Sequence, residues 1–414
     1  NSVDHDFDCQ KGQLRRKLCW KTKLNPKRPN TMIPEYRLKA KDVHQAAMQN
    51  VTKHLSLTSD GYQCDTEMLF DVLFKAATDS VSIETASNDL LDAASGNTIR
   101  EYINEQLDVC YLKEQECEMN QALSEGVPDE VFRQEIEVAF DFHDEPFYGK
   151  TPELRTYACR GKAKKGTTHF FRIASAYVIW RDVRLTLAVT YVFPEDTPLE
   201  VLKRLLFRLK CLSLHLDVAY LDKGFCSTAI IRYLTDQKQP AILACTIRGK
   251  HGGTRALCKG RKSYRTAYTF TDGTSAELIL KATLVPGKDG KLRRKWLAFV
   301  VIHLDWTPKK VYKRYRRRFG IECSYRMMRQ VRAFTTSRNP AFRFFLLGFG
   351  LLLINIWVRL RWLFARKYGP GPKRVVPVRF RFKRFAFFLR RAIEYLYGVV
   401  MSIPTNFSPE IVIY

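Results

Sequence analysis

The spacing of apolar residues between 131 and 246 predicts an alternating series of strands and helices. Residues 134–140 alternate polar and apolar side chains. The apolar segments 169–180 and 183–193 are joined by Arg181 and Asp182, as in a hairpin. The elements predicted after them are a helix at 198–209, a strand at 216–221, a helix at 227–237 and a strand at 241–246.

Three strands, a helix, a strand, a helix and a strand form the order of an RNase H-like α/β fold. The segment 247–305 interrupts this order; it is rich in Gly, Lys and Arg and contains β-type runs at 263–271, 277–284 and 296–303. A basic helix from 307 to about 333 and an apolar helix at 341–365 follow, and the tail ends in a predicted helix near 384–398. We predict an RNase H-like core interrupted by a β-rich insertion, with a helical N-terminal domain.

The domains predicted on this basis are a helical N-terminal domain (1–130), a first core part (131–246), the insertion (247–305), a second core part (306–368) and a basic aromatic tail (369–414). Within the first domain, helices at 82–94 and from 98, with Asn97 as N-cap, resemble a helix-turn-helix. An ordinary helical hairpin fits at least as well. We expect the N-terminal domain to bind DNA ends.

The run 344–358 is strongly apolar, but it is shorter than the ~18–20 residues of a membrane-spanning helix. Asn355 and two glycines weaken it further, and Arg343 and Arg359 flank it. A core helix is the interpretation we adopt, and a membrane-associated protein is the alternative. The chain starts with a polar segment that predicts no signal peptide, and it does not begin with Met, which is typical of a trimmed N-terminus.

The net charge of +27, from 69 Lys and Arg against 42 Asp and Glu, favours a polyanionic partner. Nucleic acid and an acidic membrane surface both fit that charge. The 11 cysteines stand singly, and no Cys-x-x-Cys pair occurs. A zinc site needs closer ligand pairs, so we expect reduced thiols.

Three acids stand where a two-metal site for phosphodiester cleavage needs them. Asp141 follows the first core strand, Asp222 closes the fourth, and Glu322 lies on the helix after the insertion. Carboxylates held together can bind two Mg²⁺ about 3.5–4 Å apart. Asp144 and Glu145, just after Asp141, and Asp305, before the helix, are the alternatives; we favour Asp141 because it follows the apolar strand directly.

The helix that carries Glu322 places four polar side chains on one face. At about 100° per residue, Tyr315, Arg318, Glu322 and Arg329 fall within roughly 60° of one another. A solvated basic stripe is the alternative, although it does not predict a Tyr and a single acid on the same face. In the functional interpretation, Glu322 binds a metal ion, and Arg318 and Arg329 neutralise phosphate oxygens. Tyr315 donates its hydroxyl to a phosphate or stacks on a displaced base.

These residues resemble the Tyr-x2-Arg-x3-Glu-x6-Lys signature of insertion-sequence transposases of the cut-and-paste DDE class. Tyr315, Arg318 and Glu322 match it, and Arg329 stands where the family usually has Lys. Asp222-Lys-Gly-Phe225 looks like the second-aspartate motif of that family. Asp141, with Tyr148-Gly149 a few residues on, looks like the first-aspartate motif of one branch. The resemblance covers about 131–365.

The resemblance implies a transposase that cuts transposon ends and transfers the 3′-hydroxyl into target DNA. It also implies two divalent metal ions (Mg²⁺, with Mn²⁺ as substitute), double-stranded terminal repeats and target DNA as partners, and a homodimer in a synaptic complex. It implies no membrane partner, and a nucleoid-associated place in a prokaryotic cytoplasm. Lys223 is expected at phosphate beside Tyr315, Arg318 and Arg329.

Gly-spaced basic loops in the insertion are expected to hold DNA phosphates. The cations are Arg248, Lys250, Arg255, Lys259, Arg261 and Lys262. Trp296 is a candidate for base stacking, although its place at the head of an apolar strand favours a core role. The basic tail from Lys373 to Arg384 is interpreted as a DNA-binding strand or a solvated edge.

The alternative functions are a nuclease of the same fold without strand transfer and a domesticated, non-catalytic DNA-binding protein.

Overall fold

A computed structural model describes residues 37–181, 183–250, 252–287, 289–366 and 374–402. Its centre is a nine-stranded mixed sheet in the order β4-β5-β3-β7-β8-β11-β10-β9, with β6 beside β5. The sheet strands are β3 Glu135–Pro146, β4 Cys159–Lys164, β5 Thr167–Trp180, β6 Val183–Val192, β7 His215–Leu221, β8 Ala241–Cys245, β9 Tyr264–Thr269, β10 Ser275–Pro286 and β11 Leu292–Ile302. A separate pair is formed by β1 Asp60–Gly61 and β2 Cys64–Asp65.

Helices cover this sheet and form the N-terminal part of the described chain. They are α1 Ala40–His54, α2 Thr66–Asp79, α3 Ile83–Asn88, α4 Gly96–Gln106, α5 Leu112–Ser124, α6 Asp129–Phe132, α7 Pro152–Arg155, α8 Pro198–Cys211, α9 Thr228–Asp236, α10 Gly253–Ala256, α11 Pro308–Tyr315, α12 Phe319–Met328, α13 Pro340–Phe364 and α14 Phe382–Tyr397. Single 3₁₀ turns lie at 109–111, 223–225 and 316–318.

The middle of the sheet has the strand order predicted from the sequence. β3 is antiparallel to β5, β5 is antiparallel to β6, and β3, β7 and β8 are parallel neighbours. Helix α8 connects β6 to β7; it begins with a capping box in which Thr197 and Glu200 satisfy each other's backbone N–H groups. The prediction of an α/β fold with an RNase H-like strand order is confirmed.

The insertion extends the sheet instead of forming a separate layer. β11 pairs antiparallel with β8, so that Ile302 lies opposite Ala241, and β10 and β9 follow outward. Residues 298–302 of β11 are buried, whereas the Leu292 end is exposed. The three predicted runs are therefore strands, and the buried end of β11 shares the hydrophobic core of the central sheet.

Two asparagines cover the outer edge of β6. Asn120 of α5 donates to the Val189 carbonyl at 2.9 Å and accepts from its N–H at 2.8 Å. Asn355 of α13 accepts from the Thr186 N–H at 3.1 Å and donates to its carbonyl at 2.7 Å. These amides take the place of a neighbouring strand, and they close an edge that would otherwise pair with another chain.

Helix α13 is the apolar segment singled out in the sequence. By length and composition it could cross a membrane, but 94% of its most apolar 18-residue window is buried inside the protein. It packs against α5, α12 and β6. The run 344–358 therefore lies in the core.

Three local predictions are wrong in these segments. The helix expected at 82–94 is α3, which ends at Asn88. Helix α4 begins two residues earlier than expected, because Ser95 and not Asn97 is the N-cap; the Ser95 hydroxyl accepts from the Thr98 N–H. The basic tail is not a strand where it reaches Lys383 and Arg384, since both lie on α14. The helix predicted near 384–398 is confirmed as α14, which packs on α1 and α2. Lys373 lies outside the described residues.

Candidate active site

The parallel pairing of β3 with β7 ends at Phe140 and Leu221, and the next residue on each strand is an aspartate. Asp141 and Asp222 therefore emerge side by side at one edge of the sheet. The expectation that Asp141 ends its strand is wrong, because β3 continues to Pro146 as the partner of β5 alone. The edge at which the two carboxylates meet is the point where β3 loses β7.

One guanidinium gathers the three predicted acids. Arg318 approaches Asp141 at 3.1 Å, Glu322 at 3.0 Å and Asp222 at 3.4 Å. Its side chain is only 5% exposed, whereas those of Asp222 and Glu322 are 37% and 47% exposed. The structure thus brings the triad together around a buried cation and leaves two of the acids open to solvent.

Asp141 is the most enclosed of the three acids. Burial raises the pKa of Asp141 to about 6, and the negative charge of Asp222 adds to this rise, while Arg318 opposes it. The neighbouring cation is what keeps this carboxylate ionised near neutral pH. Arg318 is buried and pairs with three carboxylates. In this structure it therefore contacts the acids, whereas the sequence predicted that it contacts a phosphate.

The helix that carries Glu322 is broken, which corrects the prediction of one continuous helix. It consists of α11, a 3₁₀ turn at 316–318 and α12. Tyr315 ends α11 with its ring buried against Tyr220 and Phe299, and its hydroxyl donates to the Leu221 carbonyl at 3.1 Å. Tyr315 therefore fastens the helix to the end of β7, and its hydroxyl is not directed at a phosphate or a base.

A second clamp holds the same helix to β3. Glu137 is 5% exposed and pairs with Arg314 and Arg317 at 2.5 Å each. The alternating pattern of β3 placed Glu137 on the polar face, so sequence reasoning missed this residue. The signal that could have revealed it is the pair of arginines three residues apart on the helix face.

The alternative acids are all engaged elsewhere. Asp144 forms an ion pair with Arg172, at 2.7 Å to its Nε. Asp305 pairs with Arg265 at 3.0 Å. Glu145 is more deeply held: although burial opposes its ionisation, hydrogen bonds from His143 and Arg332 hold the pKa of Glu145 at about 2. None of the three approaches Arg318 in the described ion pairs.

The part of the chain that holds these acids is similar to known proteins. A family model described as "Transposase DDE domain" matches residues 184–356, a segment that contains Asp222 and Glu322 and begins after Asp141. This segment of the chain is similar to the DDE domain of transposases. Among solved structures, the cryo-EM structure of piggyBac transposase in a synaptic complex with hairpin DNA matches with a TM-score of 0.54 and 11% identity, covering 87% of this chain and 77% of that one. No curated protein matches the chain.

The residues after Asp222 pack tightly against β3. The ring of Phe225 stacks on Phe142, with centroids 4.1 Å apart and planes 12° from parallel. A Cβ on Gly224 would lie 3.0 Å from the Phe142 ring. Gly224 therefore allows the Phe225 ring to stack closely on the Phe142 ring of β3. This contact holds the Asp-Lys-Gly-Phe segment, and with it Asp222, beside β3.

Gly224→Ala is expected to lower the free energy of unfolding by about 1–3 kcal/mol, because the added methyl group has to displace the Phe142 ring from its stack. Denaturant unfolding followed by circular dichroism measures this difference. Gly166→Ala is a useful comparison for crowding, since nothing lies within 4 Å of that position, although its φ of +77° adds backbone strain. An unchanged midpoint for Gly224→Ala would show that the motif does not need a glycine for packing.

The remaining predicted residues lie around the acids at different depths. Lys223 is exposed, directly after Asp222. The insertion loop leaves the sheet from the carboxyl end of β8, which is the edge that carries Asp222, because β7 and β8 are parallel. All six of its predicted cations are exposed. Trp296 is half-buried and packs edge-on against Tyr264, 6.2 Å between centroids.

Arg329 is not beside the acids. It is the C-cap of α12 and is exposed, about 10 Å along the helix axis from Glu322 at 1.5 Å per residue. It lines a cleft together with residues of α14. The predicted phosphate-binding face of the helix is therefore divided between a buried part at Arg318 and an exposed part at Arg329.

The donor set of this site suits a hard divalent cation, since carboxylate oxygens are the ligands such ions prefer. Among the described residues, no three His, Cys, Asp or Glu side chains are arranged to share one ion, because the guanidinium of Arg318 lies between the acids. Asp141, Asp222 and Glu322 are the residues that would hold metal at this edge.

Proposed function

We propose that this protein is a transposase that cuts DNA at transposon ends and joins the freed 3′-hydroxyl to target DNA, in a cut-and-paste reaction that uses two Mg²⁺, with Mn²⁺ as a substitute. The observation that carries the proposal is the approach of Asp141, Asp222 and Glu322, from two strands and a helix, to a single guanidinium. Three carboxylates from separate elements at one sheet edge form a site suited to phosphodiester chemistry.

The chain's own groups divide the work between holding the acids and holding the DNA. Tyr315 and Glu137 fix the helix against β7 and β3, which keeps Glu322 opposite the two aspartates. Metal ions held by the three carboxylates would activate the attacking oxygen and neutralise the leaving one. Arg318 neutralises the cluster of carboxylates, and the exposed cations of the insertion loop offer charge to DNA phosphates at the same edge.

The partners belong to the same proposal. We infer that the substrates are double-stranded terminal repeats and target DNA, and that two copies of the chain hold two ends in a synaptic complex. The solved piggyBac transposase, which is similar in fold, is itself a synaptic complex with hairpin DNA. The enzyme would act on the nucleoid of a prokaryotic cell.

The test is a joining assay on labelled duplex DNA that carries the terminal inverted repeat found beside the gene. With Mg²⁺ or Mn²⁺, the protein is expected to give nicked ends and longer joined strands, and neither product should form in EDTA. A pre-cut duplex that ends in a 3′-deoxy nucleotide is the control, since without the 3′-hydroxyl no joined strand can form. Cut strands that are never joined would support a nuclease instead, and the absence of both products would remove the proposal.

A further inference from the structure

Helix α14 carries an exposed ridge in which cations alternate with aromatic rings. The residues recur every four positions: Lys383, Phe387, Arg391 and Tyr395. All four are exposed, Phe387 at 38% and Tyr395 at 90%. Four residues advance about 6 Å along a helix, so the ridge presents a cation or a ring at each 6 Å step.

Phe387 lies within a cluster of guanidinium groups. The Cζ atoms of Arg391, Arg390 and Arg384 lie 5.4, 5.7 and 5.9 Å from its ring centroid. Arg390 and Arg391 are partly neutralised by Asp79 and Glu394. Lys383 and Arg384 form no ion pair with any described residue, so their charge is left for an external partner.

The ridge borders a cleft of about 630 Å³ that leads toward the catalytic helix. Arg329, Ser80, Lys383 and Phe387 are among its lining residues. Arg329, which like Lys383 has no ion pair among the described residues, lies about 10 Å along the axis of α12 from Glu322. Glu322 and Arg329 are seven residues apart, which places them on the same helix face to within about 20°.

We propose that this surface, defined by Arg329, Lys383, Arg384, Phe387, Arg391 and Tyr395, binds an unpaired DNA strand next to the cut site. Cations neutralise the phosphates, and exposed rings stack on bases irrespective of sequence, a combination typical of single-strand binding. A duplex keeps its bases stacked inside and offers nothing to Phe387 or Tyr395. Arg329, about 10 Å from Glu322 along the axis of α12, is the part of this surface next to the acids.

This inference rests on the proposed function, because cleavage at a transposon end supplies the unpaired strand that would bind this surface. Its test does not need cleavage. Binding of a labelled 20-nucleotide mixed-sequence single strand, and of the same sequence as a duplex, is measured by fluorescence anisotropy in EDTA. The double variant Phe387→Leu/Tyr395→Leu is expected to weaken single-strand binding by roughly 10-fold or more, and duplex binding by less than about 2-fold.

A matched control replaces an exposed Phe and an exposed Tyr elsewhere, Phe207→Leu/Tyr62→Leu, and should leave both affinities unchanged. For the cations, Lys383→Gln/Arg384→Gln should reduce the slope of log K against log salt for the single strand by about 1.4, at about 0.7 per phosphate contact. Thermal unfolding of each variant shows that the helix still packs, and a packing defect would not alter the salt slope.

Two outcomes would overturn the inference: single-strand affinity unchanged in the aromatic variant, or equal losses for single strand and duplex. Neither result depends on the outcome of the joining assay. If the ridge binds single strands as expected while the enzyme never cuts a transposon end, the surface remains and the proposed function fails. If the enzyme cuts and joins while the ridge variants bind normally, only this inference fails.

Discussion

Asp222→Asn is expected to lower the rate of metal-dependent cleavage and joining by about 1,000-fold or more. A metal ligand at the reacting phosphate contributes several kcal/mol of transition-state stabilisation, and each 1.36 kcal/mol is a factor of ten. The substitution keeps the shape of the side chain and removes its charge. Because Asp222 is 37% exposed and its contact with Arg318 is the longest of the three, the fold should tolerate the change.

The measurement is the single-turnover rate of end cleavage at saturating DNA, together with thermal unfolding of both proteins. Asp144→Asn is the matched control. It makes the same chemical change three residues after Asp141, but its carboxylate pairs with Arg172 in a partly exposed salt bridge. Such pairs contribute about 0–1 kcal/mol, so cleavage should change by less than about 5-fold. If Asp144→Asn abolished cleavage and Asp222→Asn did not, the assignment of the triad would be wrong.

How far the sequence could predict this site depends on which contacts are local. Glu322 and Arg318 are four residues apart on a helix, and that spacing brings them together in the structure even though a 3₁₀ turn precedes α12. Asp222 could be located because a short buried strand ends beside it. Both predictions rest on periodicity, which the backbone geometry imposes within a few residues.

Contacts between distant elements could not be predicted in the same way. The hydroxyl of Tyr315 is polar, so its position beside two charged residues favoured a role with phosphate, yet the fold uses it on the Leu221 carbonyl. Glu137 follows the alternation of a half-exposed strand, but the catalytic helix covers that face and buries it with two arginines. In each case, packing between elements that are distant in the sequence determines whether the side chain is exposed.

The insertion shows the same limit for the sheet. Its three strands were predicted from their β-type composition, but their partners were not, because pairing depends on which edge is free. β8 offers that edge, and β11 joins it with residues 298–302. The insertion is therefore anchored in the core, and the basic loop between β8 and β9 leaves from the edge that carries the acids.

Asn355→Leu is expected to lower the free energy of unfolding by about 4 kcal/mol. The Asn355 amide serves three buried backbone groups: the Thr186 N–H, the Thr186 carbonyl and the Leu123 carbonyl at 2.9 Å. Each group left without a partner costs about 1–3 kcal/mol. Burying a leucine there recovers roughly 1.5–3 kcal/mol of that loss at most. Denaturant unfolding of the purified proteins measures the difference.

The control is Leu363→Asn, which exchanges the same two residue types in the opposite direction on the same helix. Leu363 is 42% exposed, so this change should lower stability by only about 1 kcal/mol, from partial loss of burial and the lower helix propensity of Asn. If α13 instead lay in lipid, Asn355→Leu would stabilise the protein and Leu363→Asn would be the costly change, since polar groups are expensive in a bilayer. The two variants therefore separate a helix that closes the edge of β6 from one that spans a membrane, and an Asn355→Leu protein at least as stable as the wild type would contradict the first.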